Sequence, residues 1–148
     1  MSDTLADFAD YIFNRINNTL DGISDDELNW KPVKESNNIQ WILVHTTRIA
    51  SILIPQVIDG TYNSKGWDDD YQKRQHSLQE LKYDLSKARN DVVSRIRNLD
   101  DTEFSKEIMI WGSMRHLKEP VFALLGELLH HNGQMAMLRG IYKRINAE

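Results

Sequence analysis

The apolar positions of this chain fall into four stretches with a helical repeat. Leu5, Phe8, Ile12, Phe13, Ile16 and Leu20 recur at spacings of three and four, which predicts an amphipathic helix ending at Gly22. Ser24 and Glu27 are then spaced as a capping box for a short turn presenting Leu28 and Trp30, and Pro32 stops it. A second long helix is expected from Asn37 as N-cap, with Gln40 at its third position. Trp41, Ile42, Ile49, Ile52 and Leu53 make its apolar face, Pro55 ends or kinks it, and Gly60 closes it. Ser77 and Glu80 form another capping box. After it Leu78, Leu81, Leu85, Ala88, Val92, Ile96 and Leu99 define a third helix of about six turns. Pro120 suits the first position of a fourth helix that runs to about Arg144.

The segments between these helices are of two kinds. DGTYNSKGWDDDYQKRQH, residues 59–76, has glycines and charges without an apolar period, so it reads as a long loop of a length often put to functional use. Within it WDDDY, Trp67 to Tyr71, suits a solvated turn or a lid over the bundle mouth. The stretch before Pro120 is irregular, with an extended piece at Ile108 to Trp111. Four long amphipathic helices with no internal repeat predict an all-α fold, a four-helix bundle over residues 1–148 as a single domain. The long connections between helices 2 and 3 and between helices 3 and 4 free it from a simple up-down-up-down order.

Composition narrows the function classes. The 148 residues are 41% hydrophobic and 27% charged, ordinary for a globular protein, and the net charge of −4 offers no basic stripe to nucleic acid or an anionic membrane. The chain has no cysteine, which excludes disulfides, thiolate metal ligands and a cysteine nucleophile, and fits a reducing compartment. The N-terminus is acidic, unlike a secretory signal. The most apolar window, IQWILVHTTRIASILIPQVI, contains His45, Arg48 and Pro55, which a lipid-facing span would tolerate badly; a buried helix in a cytoplasmic protein is the expectation.

Helical geometry then sorts the polar residues. At about 100° per residue, and taking Glu127 as zero, His131 falls near 40°, Leu138 near 20°, Leu124 near 60°, Met135 near 80° and Gln134 near −20°. Glu127 and His131 are thus expected on the buried stripe one turn apart, and His130 on its shoulder. Taking His45 as zero, Ile49 lies near 40°, Trp41 near −40° and Ile52 near −20°, with Arg48 at the edge near −60°. His45, Glu127 and His131 would therefore project from two helices into one interior. Two imidazoles and a carboxylate suit zinc or a similar divalent metal, and three protein ligands would leave positions open for water or substrate. The plainer alternative is a hydrogen-bonded core histidine beside a local Glu–His ion pair. His76 and His116 carry no specific signal.

The wording of two blocks adds to this. ISDDELNWKP…NNIQWILVHTTRIASIL resembles the first block of the DinB/YfiT-like superfamily, and ELLHHNGQMAMLRG resembles its last, over nearly the whole chain. The resemblance implies a four-helix bundle, often a homodimer, holding a divalent metal through three side chains. It assigns His45 and His131 as ligands and puts the remaining ligand on Glu127, where many members have histidine. E-x-x-x-H-N-G is similar to the branch of mycothiol-dependent maleylpyruvate isomerase, whose site is two histidines and a glutamate on zinc. His130 is not a ligand position in that pattern.

Members with assigned activity imply a thiol-dependent S-transferase or isomerase, in which zinc, nickel or another divalent metal activates an external low-molecular-weight thiol toward a small-molecule substrate. Arg48, Gln134 and His130 are the candidate substrate-binding residues; a snorkelling arginine and a core hydrogen bond are the plain roles for the first two. The same ligands would support metal-dependent hydrolysis. The rival class is a non-catalytic dimeric metal- or ligand-binding module, with no nucleic acid or membrane partner.

Overall fold

The computed structural model describes residues 1–63 and 70–147. Its elements are α1 (Ser2–Leu20), α2 (Asp25–Asn29), α3 (Ile39–Arg48), a π-helical turn (Ile49–Leu53), α4 (Ile54–Asp59), α5 (Leu78–Arg97), α6 (Asp101–Phe104), β1 (Glu107–Ile110), β2 (Ser113–His116) and α7 (Lys118–Ile145). The long helices α1, α3, α5 and α7 form the bundle. α1 packs against α5 and α7, and α3 packs against the same two, so α1 and α3 take opposite corners. Sequential long helices are therefore not all neighbours, as the long connections suggested. The apolar stripes of all four meet in one core that includes Ile12, Leu43, Leu85 and Leu128.

The start signals act through hydrogen bonds. Ser77 Oγ accepts from Glu80 N, and the Glu80 carboxylate accepts from Ser77 N, completing the reciprocal box at the start of α5. At the start of α2 only half of the expected box forms: Ser24 Oγ accepts from Glu27 N, while the Glu27 carboxylate accepts from Arg139 Nε instead of returning to Ser24 N. For α3 the N-cap is Asn38 rather than Asn37: its Oδ1 accepts from Trp41 N at 2.8 Å. Pro120 lies inside α7, which begins at Lys118, where the first-turn N–H groups need no intrahelical acceptor.

Pro55, expected to end or kink the second helix, does not end it, and the helix is irregular just before it. The chain widens into the π turn at Ile49–Leu53 and continues as α4 with Pro55 at its second position. A proline ring would clash with the carbonyl one turn earlier, and widening the preceding turn relieves that clash. The extra residue also advances the helical phase. Ile39–Asp59, the one segment among the described residues long and apolar enough to cross a membrane, is the core helix of the bundle, with 61% of its most apolar window buried.

A two-stranded antiparallel hairpin stands where only an extended piece was expected. It pairs Ile108 with Arg115 and Met109 with Met114, and turns through Trp111 (φ 52°) and Gly112 (φ 80°). Two successive positive φ values match the right-handed twist of a hairpin. Ile110 is buried beneath it.

Candidate functional site

His45 and His131 meet across the α3–α7 interface. Their ring centroids are 4.8 Å apart, edge to face, and Trp41 stacks on the other histidine partner, His45, at 5.4 Å. The described end of the long connection, Tyr71 to His76, packs beside them. His76, buried, sits between Tyr71 O, 2.7 Å from its Nε2, and Gln40 Nε2, which donates to His76 O at 3.0 Å. These contacts fix the Tyr71–His76 segment on α3 and deliver Gln72 to the site. His76 thus has a role that its sequence context did not signal. Of WDDDY, Trp67 to Asp69 lie outside the described residues, and with them the expected lid.

Each histidine has its Nδ1 occupied by a glutamine. Gln72 Oε1 lies 3.1 Å from Nδ1 of His45, and Gln134 Oε1 lies 2.8 Å from Nδ1 of His131. With amide oxygens accepting, each Nδ1 carries a proton, and in the neutral rings Nε2 then carries the lone pair. Nε2 of His131 is buried without a hydrogen-bond partner, and the Glu127 carboxylate lies 3.5 Å from it. Burial holds the pKa of His45 below its usual value. The Gln72 hydrogen bond and the Glu127 charge oppose that shift, while His131 and Arg48 reinforce it.

Three expected placements change. Glu127 is not on the buried stripe: its side chain is 54% exposed. The residues of α7 that are buried, among them Leu124, Leu128, Asn132 and Met135, centre about 90° from Glu127 at 100° per residue, leaving it on the rim. Similarly, His45 is half-buried rather than central, and Trp41 is 44% exposed. The buried side of α3 centres on Ile42, Thr46 and Leu43 instead. The causes differ: α7 carries apolar residues nearly all round, so a stripe centred on Glu127 looks populated, while the buried side of α3 takes in the polar Thr46, Thr47 and Arg48, which a count of apolar positions leaves out.

Arg48 was expected at the edge of its face, free to snorkel; it is wholly buried, because α3 is covered on both sides by α5 and α7. Gln134 is exposed and bonds His131 rather than a core group. His130 is exposed, with its ring 5.3 Å from that of His131. Gln72 was missed, since a residue in an aperiodic loop leaves no pattern to read.

Among the described residues, no three histidine, aspartate or glutamate side chains are gathered into a ready metal cage. The site is two histidines with matched tautomers and a carboxylate at the rim. Beside it opens a cleft of about 560 Å³, lined by Trp41, Val44 and Gln72 together with Asn38, Arg74 and His76.

No curated protein matches the sequence. Among solved structures, the crystal structure of a conserved protein from Enterococcus faecalis is similar with a TM-score of 0.74 at 17% identity, covering 94% of this chain and 95% of that one. That likeness shows the shared fold. The family model of the DinB superfamily matches residues 10–135. With the bundle in place and most of the sequence matched, the chain belongs to the DinB superfamily.

Proposed function

We propose that His45, Glu127 and His131 hold a divalent metal, zinc foremost, and that the protein is a metal-dependent enzyme acting on a small molecule. The observation that carries this reading is the buried Nε2 of His131, which makes no hydrogen bond and has the Glu127 carboxylate 3.5 Å away. A buried ring nitrogen without a partner is costly unless a cation or proton meets it. Fixing each Nδ1–H by a carbonyl-type oxygen is also the usual support of a metal-binding histidine. Glu127, exposed on the rim, can turn its carboxylate toward a cation at that nitrogen.

When bound, such a metal lowers the pKa of a thiol or water placed in its open positions. The chain has no cysteine, so a thiol would be an external cosubstrate, and a thiol-dependent S-transferase or isomerase is the reading we favour. The protein's own residues do the positioning. Gln72 and Gln134 fix the imidazole tautomers, Trp41 walls one side of His45, and the adjoining cleft supplies an aromatic face together with the cation of Arg74. A substrate with an apolar body and an anionic group fits that lining.

The test is metal content and zinc titration of the protein purified without a histidine tag, against His45→Ala, Glu127→Gln and His131→Ala. Each substitution should lower the bound metal, and undiminished binding in all three would overturn the site. Turnover of an electrophile with a panel of small thiols then separates transferase from hydrolase: an ester cleaved without thiol would favour hydrolysis. No turnover by the loaded protein would leave a non-catalytic metal-binding module.

A further inference from the structure

The β1–β2 hairpin has a packing face and a water face. Ile108 and Ile110 turn inward, half-buried and buried, and Ser113 and Arg115 lie on that side with them. Glu107, Met109, Met114 and His116 are all exposed, and the alternation along each strand puts these four on the other surface. The inner face does the packing, so burial does not account for the two methionines, which are 66% and 53% exposed.

The register sets the two thioethers side by side. Met109 is directly opposite Met114, and Glu107 is directly opposite His116. With the two-residue turn at Trp111 and Gly112, Ile110 and Ser113 are a hydrogen-bonded pair, so Met109 and Met114 form the closer, non-hydrogen-bonded kind. Their Cβ atoms in such a pair are about 4.5–5.5 Å apart, and His116 follows Met114 by two positions, about 7 Å along β2. Methionine is unbranched and turns about three bonds, so both sulfurs can swing to a point that the imidazole also reaches.

The His116 ring is already oriented. Its Nδ1 lies 2.8 Å from the Ser105 carbonyl, which accepts the Nδ1 proton and leaves Nε2 with the lone pair in the neutral ring. A backbone carbonyl on the far nitrogen is a usual support of a metal-binding histidine.

Two thioethers and an imidazole select a soft cation. Thioether sulfur suits copper(I), whereas calcium and magnesium take oxygen ligands. The chain has no cysteine, so no thiolate of its own competes with these sulfurs. We propose that Met109, Met114 and His116 form a surface site for copper(I), with the Glu107 carboxylate supplying negative charge beside it. The site shares no residue with His45, Glu127 and His131 and does not depend on a metal there.

Silver(I) is the probe, because it matches copper(I) in charge and softness and undergoes no redox step. The full chain, isotope-labelled at its methionine methyl groups, is titrated with silver nitrate in chloride-free buffer and followed by NMR. The Met109 and Met114 resonances should shift together and saturate at one silver per chain, while those of Met1, Met135 and Met137 stay. Met109→Leu should abolish the shift at Met114, and Met114→Leu that at Met109. His116→Gln should lower silver affinity about tenfold or more, no less than the loss of a hydrogen bond supporting a ligand costs. Zinc, which favours imidazole, carboxylate and thiolate, should move neither methyl group. Repeating the titration in His131→Ala separates the hairpin from the histidines between α3 and α7, and the hairpin shifts should persist. Silver affinity unchanged in any of the three hairpin variants, hairpin shifts lost in His131→Ala, or an equal shift at Met137, which is 63% exposed, would each overturn the proposal.

Discussion

Arg139 Nε donates to Glu27 Oε2 at 2.8 Å, joining α7 to α2 across 112 positions of sequence. Both side chains are buried, and the same guanidinium donates through Nη1 to the carbonyls of Thr19 and Asp21, where α1 ends. One arginine therefore closes the corner formed by α1, α2 and α7. Removing one partner strands the other charge, so Arg139→Met or Glu27→Leu should each cost about 3–5 kcal/mol. Urea unfolding checks this. A loss under about 1 kcal/mol, the scale of an exposed pair, would show that the corner is solvated in solution.

The two glutamines make a prediction separate from the ligands themselves. Gln72→Leu and Gln134→Leu each remove the acceptor that holds an Nδ1 proton. Zinc affinity should fall roughly 10–100-fold in each, without loss of the fold. Titration calorimetry with circular dichroism as control reads both quantities. Affinity unchanged in both variants would mean that the glutamines do not set the tautomers.

Tyr71 gives the chain an alkaline limit. Burial, followed by its 2.7 Å hydrogen bond to Asp84 Oδ2 and the charge of that carboxylate, raises its pKa above the ordinary 10.0, with Arg74 opposing in part. The unfolded phenol ionises first, so this contribution to stability is complete below pH 10 and is lost as pH rises above it. Tyr71→Phe should be less stable at neutral pH and should show a flatter decline of Tm above that point. Parallel declines in the two proteins would contradict the assignment.

At the start of α5, Ser77→Ala removes the acceptor for Glu80 N. It should cost about 1 kcal/mol. Ser77→Asp, which keeps an acceptor there, should recover most of that in the same denaturant series.

What the sequence made legible follows from the range of the forces involved. The caps at Ser24 and Ser77 rest on contacts within four residues, and they were readable, as was the start of α7 from Pro120 to within two residues. The three-four repeat of α5, flanked by charges, left no choice of face. In α7, apolar nearly all round, and in α3, whose buried side takes in Thr46, Thr47 and Arg48, the repeat did not fix the buried face, so Glu127 and His45 were placed at the centre of faces on whose rims they lie. That His45 and His131 are brought together was readable because each is a polar residue bordering the apolar side of its helix, and the two helices pack together. Gln72, Arg139 and Glu27 act through contacts 27 to 112 positions apart, which no local pattern encodes.

The π turn at Ile49–Leu53 has a consequence for how this chain tolerates change. It works as a phase adjuster between two stretches of one helix: upstream, the phase presents His45 to α7, and downstream it returns Ile54 and Val57 to the core. Deleting a single residue there would rotate everything after it by about 100° relative to everything before. Either the histidine or the core contacts of α4 would then be misdirected. Length at this point is thus as constrained as residue identity, although the segment lies inside a helix and contributes no ligand of its own.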